Sequence, residues 1–303
     1  MHILKKEKSV YSFDKNHKPV LTIQSGEKVS FQTYDCFNDQ IQSESQLVSS
    51  IDFSTVNPAT GPVYIEGALP GHILKVEIHD IKVRDWGVIS TLPEIGLLVH
   101  TCEQKTKIVQ VDDHNNVHFN DEISFEATPM IGVMGCAPAG DPVPNMDPGD
   151  HGGNMDNHII TKGTTVYLPI NVEGGLFGLG DIHASMGDGE ICGTGVEISG
   201  EVETTLSTIS NQAIPRPMVE TDDSWYTVAS HSSTDRAIQI ACEDMQTLVA
   251  DKWKLSLVDA YLLMSVVGDV QLCQCCKPSP ESNMEVIARF RMPKLQNMAP
   301  LIG

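Results

Sequence analysis

The chain has 303 residues, of which 41% are hydrophobic and 20% charged, which is typical of a folded globular protein with one large β-rich domain or two domains. Its 40 acidic against 20 basic residues argue against a nucleic acid or an anionic membrane as partner, because phosphate binding needs a surplus of Lys and Arg. No run reaches the ~18 apolar residues of a membrane span and no signal-peptide core is visible, so we expect a cytoplasmic protein.

Strands are predicted through most of the first 230 residues, where polar residues alternate with β-branched ones. The clearest alternation runs from Ile73 to Val83, and another runs from Val196 to Ile209. Residues 132–157 show no period and are rich in Gly and Pro. A loop of that length between strands indicates a functional segment.

The pattern changes near Ser230, where capping residues precede apolar residues at helical spacing. A second short helix is predicted between a cap at Ser256 and a stop at Gly268, and strands follow it. We therefore predict a mainly β fold of sandwich- or barrel-like sheets, with a smaller α+β portion containing two helices late in the chain. Residues 1–230 would form the β-rich domain and 231–303 the portion packed on it, or the two would form one intertwined domain.

One candidate metal pair is Asp181-x-His183, which follows a Gly-rich turn. In a strand, residues two apart point to the same face, so a carboxylate and an imidazole would lie together as half of a first-row metal site. The alternative is a turn Asp beside a surface His. Asp188 and Glu190 add two carboxylates in "GDGE", which is also an ordinary turn sequence.

The second candidate repeats that spacing in the long loop, where Asp156 and His158 follow Gly153 and Asn154. Glycines here let the backbone approach a ligand closely. Asp35 ends an early strand and is either a loop cap or a ligand.

The eight cysteines are expected to be reduced. Cys273, Cys275 and Cys276 lack the spacing of a zinc site, so we interpret them as packing residues. Cys136 has no base nearby in the sequence and is interpreted in the same way.

Taken together, these segments resemble the acetamidase/formamidase family over about residues 20–295. The most specific match is "GGNMDNHIITKGTTVYLPINVEGGLFGLGDIHASMGDGEICGTGVEI", and "NPATGPVYIEGALPGHILKVEIHDIKV" precedes it in the family's order. The resemblance implies a β-rich enzyme that hydrolyses short amides such as formamide and acetamide with a bound divalent metal. Two positions depart from the family pattern: Cys136 replaces an aliphatic residue, and Met186 replaces a common Gln, which puts amide preference in doubt.

The resemblance carries over to individual positions of this chain. We expect Asp156, Asp181 and His183 to hold the metal with Asp35 as a possible fourth ligand, and we expect Glu190 and Asp188 to be catalytic, with Glu190 as the proton shuttle. A set of residues is expected to contact the substrate or to support the ligands: Gly153, Asn154, His158 and Gln40. The mixed carboxylate and imidazole ligands favour zinc, and calcium or magnesium is the alternative if His183 turns away.

Two other functions remain open. The chain could hydrolyse lactams instead of linear amides, or it could be a non-catalytic β-rich protein with a structural cation. We expect a homodimer, since the apolar late helices suit a subunit interface, although they would equally suit a core.

Overall fold

The computed structural model describes residues 1–303 and consists mainly of strands. The strands in chain order are β1 His2–Leu4, β2 Ser9–Val10, β3 Ser12–Phe13, β4 Leu21–Ile23, β5 Glu27–Thr33, β6 Ala59–Ile65, β7 Ile73–Val83, β8 Trp86–Ser90, β9 Thr106–Val111, β10 Asn116–His118, β11 Ser124–Glu126, β12 Met130–Gly135, β13 Val143–Pro144, β14 Pro148–Gly149, β15 Gly152–Asn154, β16 Thr165–Pro169, β17 Phe177–His183, β18 Glu197–Ile198, β19 Gly200–Ile209, β20 Met218–Glu220, β21 Ser224–His231, β22 Asp269–Leu272 and β23 Val286–Pro293. The helices are α1 Thr234–Trp253 and α2 Leu257–Val267, and three short 3-10 turns lie at Val48–Ser50, Phe53–Thr55 and Val99–Thr101. The predicted mainly β fold with two late helices is confirmed.

The strands form two large sheets and a small ribbon. A nine-stranded sheet has the order β1-β5-β19-β7-β16-β20-β21-β23-β22. A twelve-stranded sheet has the order β11-β10-β9-β8-β18-β17-β12-β15-β14, with β6 pairing β17 and both β2 and β4 pairing β6. Strands β3 and β13 form the ribbon. Almost all neighbours are antiparallel; β1 with β5 and β4 with β6 are parallel.

The two sheets share the main hydrophobic core, a cluster of 36 buried residues. Phe31 of the nine-stranded sheet meets Phe177 of the twelve-stranded sheet edge to face, with ring centroids 5.7 Å apart. Leu74 and Leu206 come from the first sheet and Ile182 from the second. The sandwich therefore buries β17, whose seven residues are all buried.

The helices cover part of the nine-stranded sheet and form a second core of 17 buried residues. Met245 and Trp253 of α1 pack there with Trp225 of β21. Both helices begin where the sequence predicts, because Ser233 and Ser256 accept hydrogen bonds from the backbone at Arg236 and Asp259. Neither helix is long and apolar enough to span a membrane.

The predicted strand from Val196 to Ile209 is interrupted at Ser199. Strand β18 pairs with β17 and β8 in the larger sheet, while β19 pairs with β5 and β7 in the smaller one. Gly200 permits this crossing, because a Cβ there would lie 2.4 Å from the carbonyl oxygen of Lys82. The chain thus passes between the sheets beside the end of β17.

Residues 132–157 are more ordered than the expected loop. Gly152 and Gly153 pair with Gly135 and Met134 as an antiparallel ladder between β15 and β12. Glycines pair through their backbone and have no side chains that could alternate between polar and apolar. The sequence therefore shows no strand pattern here. The domain boundary near residue 230 stays a prediction; β21, β22 and β23 lie in the same sheet as β5 and β7.

Candidate active site

Strand β17 ends with a buried carboxylate and a buried imidazole on one side. Asp181 Oδ1 lies 3.3 Å from His183 Nε2, as the Asp-x-His spacing predicts. The backbone at Asp181 has a φ of 54°, in the left-handed region that non-glycine residues seldom occupy. The chain therefore turns sharply where the strand delivers its carboxylate.

Three more carboxylates approach the same imidazole from other segments. Asp156, just after β15, places Oδ1 3.9 Å from His183 Nε2, and Glu197 of β18 places Oε2 3.2 Å from it. Glu190 completes the group: ligand atoms of Asp156, His183 and Glu190 lie within 4.8 Å of one another. We call Asp156, Asp181, His183, Glu190 and Glu197 the site cluster; all five are buried.

A glycine on the neighbouring strand makes room for this cluster. Gly132 of β12 faces two of its carboxylates, and a Cβ there would lie 2.5 Å from Asp156 Oδ1 and 2.7 Å from Asp181 Oδ2. Any side chain at residue 132 would push these two groups out of place.

Burial dominates the electrostatics of the cluster. Burial raises the pKa of Asp156, Glu190 and Glu197, and the repulsion among the carboxylates raises these pKa values further. Burial disfavours the charged form of His183, but the Glu197 and Asp181 carboxylates outweigh it and raise the pKa of this imidazole. Four buried carboxylates around one imidazole give the cluster an excess of negative charge, which a bound cation would offset.

The site cluster suits a divalent metal, because it contains buried ligand atoms that have no other partner. Asp156 Oδ1 and His183 Nδ1 are buried polar atoms without a hydrogen-bond partner. A second group, Cys36, Asp181 and Glu197, also brings its ligand atoms within 4.8 Å of one another. Carboxylate, imidazole and thiol donors gathered in this way are typical of metal sites.

Two of the expected site residues instead pair with arginines. Asp35 accepts a hydrogen bond from Arg84 Nη2 at 2.8 Å and belongs to neither group of potential ligands. Asp188 binds the buried Arg289 through both carboxylate oxygens, at 3.0 and 2.6 Å. His158 Nδ1 also lies 2.7 Å from Asp188 Oδ1, so His158 is in contact with this ion pair.

The remaining expected residues lie around the cluster. Asn154 is buried and lies 3.4 Å, Oδ1 to Nδ2, from Asn57. Gly153 has a φ of 82°, and a Cβ there would lie 2.3 Å from the carbonyl oxygen of Asp147. Gln40 lies outside the cluster and ties its loop together by donating to the Asp52 carbonyl and accepting from the Asp52 amide.

Sequence reasoning missed one residue that contacts the cluster directly. Gln274 Nε2 donates to Asp156 Oδ2 at 2.6 Å and lies 3.5 Å from Glu190 Oε2. The only signal for Gln274 in the sequence is its position as a polar residue between Cys273 and Cys275, and a polar residue there does not by itself indicate a site. Glu197 and Cys36 were likewise not among the expected site residues.

A small cavity lies next to the cluster. None of the five cluster residues lines it, but two residues that contact them do: Gln274, which donates to Asp156, and Cys36, which lies near Asp181 and Glu197. The cavity's volume is about 90 Å³, and its lining includes Asn154, Thr194 and Gln274. It adjoins an outer cavity of about 610 Å³ that shares Ile95, Met146, Gln274 and Met284 with it. We call these the site cavity and the vestibule. The site cavity is well below the roughly 300–1,000 Å³ of pockets for drug-sized ligands, so it suits a very small molecule.

Comparisons with known proteins find a matching family and similar solved structures. The model of the Acetamidase/Formamidase family matches residues 5–146 and 141–267. The chain is similar to a crystal structure of an acetamidase from Bacillus halodurans, with 41% identity, coverage of 96% of this chain and 97% of that chain, and a TM-score of 0.92. A crystal structure of a predicted acetamidase/formamidase from Thermoanaerobacter tengcongensis is 38% identical over 96% of this chain and 95% of that chain, with a TM-score of 0.92.

The curated relatives are more distant. A formamidase of Methylophilus methylotrophus is 25% identical over 254 residues, which cover 63% of this chain and 62% of that protein. The match spans between 61% and 63% of the length of the curated relatives.

Proposed function

Because the chain belongs to the acetamidase/formamidase family, we propose that it hydrolyses short linear amides of the formamide and acetamide type to the carboxylic acid and ammonia. The observation that carries the proposal is the site cluster beside a cavity of about 90 Å³. Buried carboxylates can move a proton there, and the cavity has room for a small amide.

We assign the metal to Asp156, Asp181 and His183, with zinc favoured by the mixed ligands and calcium or magnesium as alternatives. When bound, the metal supplies Lewis acidity toward the carbonyl oxygen and lowers the pKa of water. The assignment leaves out Asp35 and Asp188, since each neutralises an arginine.

Glu190 is the proton shuttle in this proposal. Burial and the nearby Asp156 charge raise the pKa of its carboxyl group, which makes its carboxylate a better proton acceptor than an ordinary one. It takes the proton of the attacking water and returns it to the leaving nitrogen. Gln274 orients Glu190 and Asp156 through its amide nitrogen. Asn154, whose Oδ1 faces Asn57, presents its own amide group to the substrate oxygen.

The test is ammonia release from formamide and acetamide, with a lactam as a third substrate. We expect turnover of the linear amides, its loss on metal chelation, and a decrease of roughly 100-fold or more in Glu190→Gln, because general acid–base catalysis contributes that much. His183→Ala should lose bound metal and activity together. His158→Ala has the same Asp-x-His context but lies outside the cluster, so it should retain both.

Full activity of chelator-treated protein would refute the metal role. Full activity of both His183→Ala and Glu190→Gln would refute the site assignment. Hydrolysis of the lactam alone would identify the substrates as cyclic amides, and no hydrolysis with a tightly held metal would identify a structural cation site.

We also propose that the protein forms a homodimer through α2. Six apolar side chains stand exposed on this helix and the adjacent strand, and we call them the α2 patch: Leu257, Val258, Tyr261, Leu262, Val266 and Val270. Val266 is 81% exposed. Exposed apolar side chains grouped in this way are characteristic of an interaction site.

A second copy of this chain suits the patch better than a different partner. The chain carries a net charge of −20, so most of its faces repel a copy, whereas α2 carries one charged residue, Asp259. The patch also adjoins β22, the last strand of the nine-stranded sheet, whose outer edge has no neighbour. A free edge beside an apolar helix can pair with itself about a two-fold axis, which extends the buried area toward the ~800 Å² per subunit of a stable interface.

A further inference from the structure

Three cavities of the structure meet at one side chain, that of Ile95. The site cavity and the vestibule both include it in their lining. The third cavity has a volume of about 420 Å³ and shares Ile95 with the other two, but none of the five residues of the site cluster lines it. Leu92 lines the site cavity and this third cavity, so the two side chains form the wall between them.

The third cavity is mostly apolar, and we call it the apolar cavity. Leu98, Val99 and Ile191 contribute to its lining together with the two wall residues. Seven of the thirteen residues that line the apolar cavity are hydrophobic, against four of the twelve that line the vestibule; Glu94 lines both, and the vestibule adds Asp147 and Glu285. A flexible aliphatic chain that extended beyond the site cavity would therefore gain more by entering the apolar cavity than by lying in the vestibule.

The wall is held firmly in place. The backbone amide of Gly96 donates to the Cys276 carbonyl at 2.7 Å, and that of Leu97 donates to the Ile191 carbonyl at 2.9 Å. Gly193 packs against the wall itself, since a Cβ there would lie 2.7 Å from Ile95 Cγ2 and 3.0 Å from Leu92 Cδ1. These two hydrogen bonds fix the backbone directly after Ile95, and together with the close approach of Gly193 they hold the wall against a longer substrate.

We propose that Ile95, with Leu92 beside it, sets the upper limit on the acyl chain of the amide. This inference rests on the proposed function. Formamide and acetamide fit the site cavity, whereas aliphatic amides such as hexanamide are excluded by the wall. Removing the wall joins the site cavity to the apolar cavity and admits the longer chain.

The test is a double-mutant cycle with acetamide and hexanamide as substrates. In Ile95→Ala, the ratio of kcat/KM for hexanamide to that for acetamide should rise at least about 10-fold, because buried methylene groups discriminate by that much or more. Leu98→Trp fills the apolar cavity from its outer side and should leave the wild-type ratio unchanged. The double variant Ile95→Ala/Leu98→Trp should lose the gain, which places the acyl chain in the apolar cavity.

Binding of the acid products distinguishes failure of this inference from failure of the proposed function. If wild type hydrolyses neither amide, the proposed function is wrong, and calorimetry of hexanoate and acetate tests the wall alone. Ile95→Ala should then bind hexanoate about 10-fold more tightly than wild type does, with acetate binding unchanged. An unchanged ratio, or unchanged hexanoate binding where there is no turnover, would overturn the inference, as would a gain that persists in the double variant.

Discussion

At the scale of single residues, the most unusual feature is backbone strain beneath the site cluster. Asp156, Asp181 and Glu190 have φ values of 35°, 54° and 43°. Each such residue costs on the order of 1–3 kcal/mol and persists only where the surrounding structure enforces it. The sheet pairing on β12 and β17 and the bridge between Gly189 and Gln274 provide that enforcement. Three of the strained residues are thus the two carboxylates that we assign to the metal and the one that we assign to proton transfer.

Outside the cluster, His151 predicts a measurable pH effect. Burial lowers the pKa of this imidazole to about 4, and Phe13 stacks on it edge to face at 5.1 Å. The unfolded chain takes up a proton on His151 near its ordinary pKa of ~6.5, so the stability that neutral His151 provides is present above that pH and is lost as the pH falls toward 4. Between pH 7 and pH 5 wild type should lose about 2 kcal/mol more unfolding free energy than His151→Gln does.

Urea unfolding at the two pH values measures this difference, and comparing the two proteins cancels the contribution of the carboxylates. Equal losses in wild type and His151→Gln would contradict the prediction.

The sequence identified part of the site for reasons that are local. Asp181 and His183 share a strand face, so their spacing alone predicts their contact. The sequence does not show that Asp35 and Asp188 pair with arginines rather than joining the cluster, because their partners Arg84 and Arg289 lie far along the chain. Gln274 was missed for the same reason: it is 118 residues from Asp156.

At the scale of elements, the pairing of β12 with β17 determines how closely the backbone approaches the site. The second helix lies between its predicted cap at Ser256 and its predicted stop at Gly268, and the first begins within the predicted run of capping residues, since these signals act locally. The glycine-rich strands were harder to predict, because the positions of their glycines are set by contacts with neighbouring strands, which a single sequence does not show. Gly132 is the clearest case.

Gly132→Ala should leave the fold intact and damage the site. Its methyl group would meet Asp156 Oδ1 and Asp181 Oδ2, so we expect metal affinity to fall roughly 10- to 100-fold, as when groups that orient ligands are changed. Gly178→Ala on β17 is the matched control, since its Cβ finds no atom closer than 3.4 Å. Metal content and circular dichroism of both variants decide the question. Wild-type metal affinity in Gly132→Ala would show that the carboxylates are not ligands.

At the scale of the whole molecule, the α2 patch and the net charge of −20 act in opposite directions. Charge repels copies of the chain, and the exposed apolar helix attracts them. We expect Val258→Asp to weaken dimerisation by roughly 100-fold, because a like charge then appears twice in a two-fold interface. Leu69→Asp, which alters an exposed leucine outside the α2 patch, should have no effect.

Sedimentation equilibrium measures this association for the three proteins. A wild type that sediments as a monomer at micromolar concentration, or a Val258→Asp variant that remains a dimer, would contradict the proposal. The sequence predicted apolar late helices but not which side chains face outward, because that depends on how α1 and β23 cover them.

The hydrogen bond from Gln274 to Asp156 has a consequence for biosynthesis. The carboxylates, the imidazole and their supporting strands are synthesised before residue 274, so the amide that orients two of the carboxylates is added to the chain after them. Domains are synthesised from the amino end, and long-range pairings of this kind form slowly. A nascent chain that has not yet reached Gln274 therefore carries these acidic residues without the amide that orients them, and selection of a cation waits until that later segment has packed against them.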